Sequence, residues 1–244
     1  MKPQRYEAID SLRGLAMVWM TAFHFAFDLN YFGLIQQNFY RDPLWTWQRT
    51  LIVSLFLFCA GLGQAVAVAQ GQRWPRFWRR WAQVAGCALL VSLGSWLMFP
   101  KTFIYFGVLH GMALMLILIR VAAGWGRVLW LLGAAAIASK FIAASLLQHD
   151  ASLAALFNTP WLNWLGWITR KPFTEDYVPL FPWLGVVCWG AATGAWLLQP
   201  AQQALLVRLP SARPLAWLGR YSLPYYMLHQ PVLIALVGLW VRLG

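Results

Sequence analysis

Apolar residues come in blocks about twenty long, separated by short stretches of charge, proline and glycine. A helix rising about 1.5 Å per residue needs a block of that length to cross about 30 Å of hydrocarbon. Seven blocks are legible: Ala8–Phe32, Leu44–Ala69, Trp78–Phe99, Phe103–Arg120, Val128–Leu147, Val178–Leu198 and Ser222–Val241. They predict an all-α integral membrane protein, a bundle of about seven transmembrane helices forming one domain over residues 1–244. The longest connection, residues 148–177, carries Trp161, Trp164 and Trp167 at helical spacing. It reads equally as a short helix lying in the membrane interface or as a loop anchored by its aromatics.

Composition supports the pattern. Apolar residues make up 61% of the 244, charged residues 11%, and mean hydropathy is +0.57. A soluble domain carries about 25% charged residues, so a soluble enzyme, a disordered chain and a secreted disulfide scaffold are all excluded. The three cysteines, Cys59, Cys87 and Cys188, fall inside the blocks without metal or redox spacing. The first apolar run is too long and too charged for a cleavable signal peptide, so none is expected.

The net charge of +12 changes the picture only through its placement. Taking alternate sides of successive blocks, one side holds Lys2, Arg5, Arg73, Arg76, Arg79, Arg80, Arg120, Arg127, Arg208, Arg213 and Arg220. The other holds Arg41, Lys101, Arg170, Lys171 and Arg242. Basic residues collect on the cytoplasmic side, so the N-terminus is expected inside and the C-terminus outside. A nucleic-acid surface would not segregate in this way. Trp74, Trp78, Trp81, Trp125, Trp130 and Trp217 fall at the inner ends of the blocks. Trp45, Trp47, Trp96, Trp161, Trp164, Trp167, Trp183 and Trp240 fall near the outer ends, as interfacial tryptophans do.

Candidate chemistry concentrates in the first block. At 100° per residue, Asp10, Arg13, His24 and Asp28 lie within an arc of roughly 60° on one helix face. Arg13 and His24 are separated by about 16 Å along the axis. An Arg or Asp in mid-membrane costs on the order of 3 kcal/mol, so this stripe must face protein or a watery cavity. Asp28 stands one turn from His24, where a carboxylate holds one imidazole nitrogen and makes the other a general base. Asp10 with Arg13 reads equally as a simple ion pair.

Other blocks add Arg49, His110, Lys140 and His229, the last followed by Gln230 and a helix-disturbing Pro231. For His110 and His229 a packing role is as fitting as a chemical one. Arg49 and Lys140 are long enough to snorkel to the surface. No metal is expected: no ligand pair repeats at i,i+3 or i,i+4, and His24 and His229 are expected at different depths.

The string Asp10-Ser11-Leu12-Arg13-Gly14 resembles the opening of the catalytic domain of the heparan-α-glucosaminide N-acetyltransferase family. His24-Phe25-Ala26-Phe27-Asp28 is similar to its bacterial branch, as are Phe56–Gly61, Gly107–Gly111 and the ending Ser222–Pro231. The resemblance implies an enzyme of the bacterial inner membrane. It would carry acetyl groups from cytosolic acetyl-CoA to an amine or hydroxyl of an extracytoplasmic sugar or glycan. Its partners are then acetyl-CoA, the acceptor and membrane lipid. One departure matters: in the human member of that family the catalytic histidine lies in the lumenal loop after the first span, and Gly33–Pro43 holds none.

The expected roles follow. His24, oriented by Asp28, is the base; Asp10, Arg13, Arg49, His110 and His229 serve the acyl donor or stabilise charge. Arg76, Arg79 and Arg80 meet the CoA phosphates, although the positive-inside bias explains them equally well. Two rival classes share the stripe: a proton-coupled transporter or channel, against which no internal repeat is visible, and a non-catalytic membrane subunit.

Overall fold

The computed structural model describes residues 5–243, so Lys2 lies outside the described residues. The helices are α1 (Glu7–Tyr31), α2 (Pro43–Ala69), α3 (Trp74–Met98), α4 (Val108–Ala122), α5 (Val128–His149), α6 (Ala151–Phe157), α7 (Leu180–Leu197), α8 (Gln203–Arg208), α9 (Arg213–Arg220) and α10 (Ser222–Leu243). Among the described residues, six helices are long and apolar enough to cross a membrane: α2, α3, α4 with its following turn to Trp125, α5, α7 and α10. The chain is therefore an all-α, multi-pass integral membrane protein. The first predicted block, α1, matches α3 in length but is not among the six. Asp10, Arg13, His24 and Asp28 dilute its hydropathy.

The contacts divide the chain into two compact units. One covers residues 57–204; the other joins residues 5–56 to 205–243, so that α2 contributes to both. In the first unit α5 lies against α7, and α4 against α3 and α7. Small residues set the close approaches: a Cβ at Gly61 would stand 2.1 Å from the Val187 carbonyl oxygen, and one at Gly190 would stand 2.1 Å from that of Phe58. Helices without a hydrophobic drive between them depend on such contact.

The fourth block begins five residues later than predicted, at Val108. Residues 103–107 are apolar but extended, because their backbone pairs with 174–178. The Glu175 N–H donates to the Thr102 carbonyl (2.9 Å), Val178 N–H to Phe106 (3.2 Å), and Thr174 Oγ1 to Phe103 (2.7 Å). Asp176 then accepts the Val108 N–H at 2.7 Å, satisfying an orphan donor of the first turn of α4.

The long connection resolves between its two readings. It holds α6, whose first N–H groups bond Asp150, and a separate 3₁₀ turn, Asn163–Leu165. The three tryptophans share no helix, because Gly166 turns the chain at φ +93 and has no room for a Cβ against the Phe181 carbonyl. Trp161 is 86% exposed, while Trp167 stacks on Phe181 and donates to Ser139. The connection is a loop anchored by aromatics, with one short helix.

In the second unit α1 packs on α9 and α10. The sequence reading passed over α8 and α9. The latter is short, with an arginine at each end, and its backbone touches that of α1. A Cβ at Gly14 would meet the Leu215 carbonyl at 2.0 Å, and one at Gly219 the Asp10 carbonyl at 1.9 Å. Ser11 Oγ bonds both the N–H and the carbonyl of Ala212.

Candidate active site

The face of α1 turned toward the protein carries the ionisable groups, and the face turned outward is apolar. Asp10 and Asp28 are 4% and 2% exposed, whereas Leu15, Val18 and Phe25 are each more than 40% exposed. This is the reverse of a water-soluble helix. Two polar clusters lie on the inward face.

The first surrounds Asp10. Arg5 bonds its carboxylate at 2.5 and 3.2 Å, Arg13 at 3.3 Å, and Arg220 approaches to 3.6 Å while also pairing Glu7 at 3.2 Å. Arg13 reaches the Gly219 carbonyl as well, at 3.4 Å. Three guanidiniums against two carboxylates leave an excess of positive charge where α9 crosses α1.

The second cluster joins α1 to α10. His24 and Asp28 do not touch as the one-turn spacing implies; the Gln230 side chain stands between them. An amide oxygen only accepts, so His24 donates its Nδ1–H to Gln230 Oε1 at 2.6 Å. Gln230 Nε2 in turn donates to Asp28 Oδ1 at 2.7 Å. The carboxylate orients the amide, the amide fixes the tautomer, and His24 Nε2 keeps its lone pair.

His229 packs edge-on to His24, ring centroids 5.1 Å apart, which corrects the expectation that they lie at different depths. The physical reason is register. Gly219 meets Asp10, Tyr225 meets Thr21 at 2.7 Å, and Gln230 meets His24, so α10 runs parallel to α1 with α9 filling the level below it. His229 donates Nδ1–H to the Tyr226 carbonyl at 2.6 Å. Its Nε2 and Asp28 Oδ2 are buried without a hydrogen-bond partner. Each such group costs about 1–3 kcal/mol, which points to use rather than support. Among the described residues no group of three or more His, Cys, Asp or Glu is arranged to hold a metal ion.

The remaining sequence candidates sit differently. Both nitrogens of His110 are engaged within its own unit: Nδ1 accepts the Gly107 N–H (3.2 Å), and Nε2–H donates to Ser92 Oγ (2.9 Å), which donates on to the Ile104 carbonyl (2.7 Å). Arg49 is half-buried on α2, one turn beyond Trp45, and has no polar partner among the described residues. Arg76, Arg79 and Arg80 are exposed at the start of α3, and Lys140 is exposed on α5. Arg120, counted only for its charge, is buried at the end of α4, bonding Gln72 and lying over the Trp74 and Phe77 rings.

Gln230 is the residue that sequence reasoning missed. Its signal was an amide beside His229 within an apolar span. Along α1 between the two clusters, Ala16, Met17 and Met20 fill the inward face, each at most 3% exposed. The Arg13 and His24 clusters are thus separated along α1 by packed side chains.

A multi-pass helical membrane protein that turns ionisable side chains on its first helix toward its own interior is the class these features define. The family described as heparan-alpha-glucosaminide N-acetyltransferase, catalytic, matches residues 5–231, and the chain belongs to this family of membrane acetyltransferases. No curated protein and no solved structure matches the chain.

Proposed function

We propose that this protein moves an acetyl group from cytosolic acetyl-CoA to an amine or hydroxyl of an extracytoplasmic sugar, in the bacterial inner membrane, with His24 as general base. The observation that carries the assignment is the His24–Gln230–Asp28 chain, which leaves His24 Nε2 as a bare lone pair backed by a carboxylate. In this reading the acceptor N–H or O–H loses its proton to Nε2 as its nitrogen or oxygen attacks the thioester carbonyl. The tetrahedral oxyanion collapses, the C–S bond breaks, and the imidazolium returns the proton to the departing CoA sulfur.

His110 is bonded on both ring nitrogens and acts here as an anchor for α4 rather than as a donor contact. His229 in its present tautomer offers a lone pair, so it suits orientation of the acceptor proton better than an oxyanion. Arg49, half-buried and without a polar partner among the described residues, takes the charge-stabilising role. Arg13 with Arg5 and Arg220 makes a positive mouth for the donor, and Arg76, Arg79 and Arg80 remain candidates for the CoA phosphates. Donor passage requires Met17 and Met20 to move, which their flexible, unbranched side chains permit.

The same proposal counts α1 as a seventh span and all 244 residues as one catalytic domain. Two observations support it: the inverted polarity of α1, and its parallel course with α10, which an odd number of crossings demands. The family match likewise runs through both compact units. Titration of the purified protein with acetyl-CoA, free CoA and ATP tests the reading; binding of both CoA species and not ATP is expected. Absence of CoA binding overturns it.

A further inference from the structure

At the C-terminal end of α1 the chain folds over a cavity of about 300 Å³. Its apolar walls are rings: Phe27 and the buried Phe39 meet edge-on at 5.3 Å, and Tyr31 and Tyr40 stand exposed beside them. Besides the two phenols its polar lining is three amides, and no charged residue lines it. Every one of those amides has its oxygen engaged, two by backbone N–H groups of the loop and one by a side chain in the first turn of α2. Asn30 Oδ1 accepts the Gln37 N–H (2.7 Å), Asn38 Oδ1 accepts those of Tyr40 (3.3 Å) and Arg41 (3.0 Å), and Gln37 Oε1 accepts from Trp45 Nε1 (3.2 Å). Their NH₂ groups have no partner among the described residues. The cavity therefore offers donors and aromatic faces together. That combination fits a neutral ligand with many acceptor oxygens and one apolar C–H face, because ring faces are electronegative and attract polarised C–H groups.

We propose that this cavity is a pyranose-binding subsite for the acceptor glycan, holding a sugar unit next to the one that reacts. The inference rests on the acetyltransferase reading for the word acceptor, and on the cavity alone for the sugar. Tyr31 is seven residues past His24, about 20° round the helix and about 10 Å further along its axis. That is beyond the reach of one pyranose ring touching both. A ring stacked on Tyr31 thus belongs to a neighbouring unit and directs the terminal unit toward His24.

The test is calorimetric titration of the full chain in lipid nanodiscs, without acetyl-CoA. The probes are the β-linked disaccharides of glucosamine, N-acetylglucosamine and glucose, each beside its monosaccharide. At least one disaccharide is expected to bind, about tenfold tighter than its monosaccharide, and Tyr31→Ala to weaken it about tenfold. Tyr31→Phe keeps the ring and should bind like the parent. Asn38→Asp keeps the oxygen that turns the loop and exchanges the NH₂ donor for a charged acceptor that repels the oxygens of a sugar, so lost binding there is not lost folding. Failure of all three disaccharides, or undiminished binding in both Tyr31→Ala and Asn38→Asp, overturns the subsite. Separate titration with acetyl-CoA keeps the two ideas apart. Sugar binding without donor binding sinks the transferase reading alone, and donor binding without these sugar effects sinks the subsite alone.

Discussion

His24 and His110 are each the one histidine of their helix, yet their ring nitrogens keep different company. His110 receives one backbone N–H and gives one proton to Ser92, which completes its valence. His24 gives its proton to an amide that a buried carboxylate has already oriented, and keeps Nε2 free. Replacing His24 with Ala is expected to lower kcat by about 10³-fold, the usual scale for a lost general base, with acetyl-CoA affinity little changed. Gln230→Leu removes the link while leaving the imidazole and the carboxylate in place, and should lower kcat by roughly tenfold to a hundredfold. A KM-against-kcat comparison of the two variants checks both. Near-parent kcat in His24→Ala would remove the mechanism. For His110→Ala the expected effect is on stability, a loss of about 2 kcal/mol from unsatisfied groups, read as a lower melting temperature in detergent.

At the level of helices and loops, α9 fixes where α10 begins, and so brings His229 and Gln230 to the height of His24. The contact leaves no room for a side chain at Gly219. Gly219→Val should therefore dislodge α9 and cost about 3 kcal/mol or more, with the Asp10 cluster lost alongside. Limited proteolysis of the segment before α10 would report it; an unchanged digestion pattern would contradict the account. The loop that follows α6 supplies a pH-dependent case. Tyr177 donates to the Asn163 carbonyl at 2.5 Å, and burial, with Tyr105 adding to it, pushes its phenol above the ordinary value. The neutral form is favoured on folding, so this contribution is complete below about pH 10. It is lost as pH climbs through the raised value. Thermal stability should fall above pH 10 in the parent and fall less in Tyr177→Phe.

Across the whole molecule the expected topology is seven crossings, with the N-terminus in the cytoplasm and the C-terminus outside. Reporter fusions at the two ends should give opposite signals, active on one side only in each case. The same side for both would mean that α1 does not cross, and the base on α1 would then lie at a surface. The family match gives this reading its context without naming the acceptor.

The spans were legible because a membrane helix is written locally: twenty apolar residues in sequence are twenty apolar residues in lipid. The first helix was legible for the opposite reason, since ionisable residues at helical spacing inside such a run have to face inward wherever the helix sits. The extended stretch before Val108 was not legible, because its backbone partners are some seventy residues away and its side chains are apolar in either conformation. The same holds for the site. Sequence placed His24 and Asp28 on one face and singled out His229, but the height of α10 against α1 depends on backbone contact at Gly14 and Gly219, which only folding brings together. That register puts Gln230 between imidazole and carboxylate, a bridge that no spacing along one helix encodes.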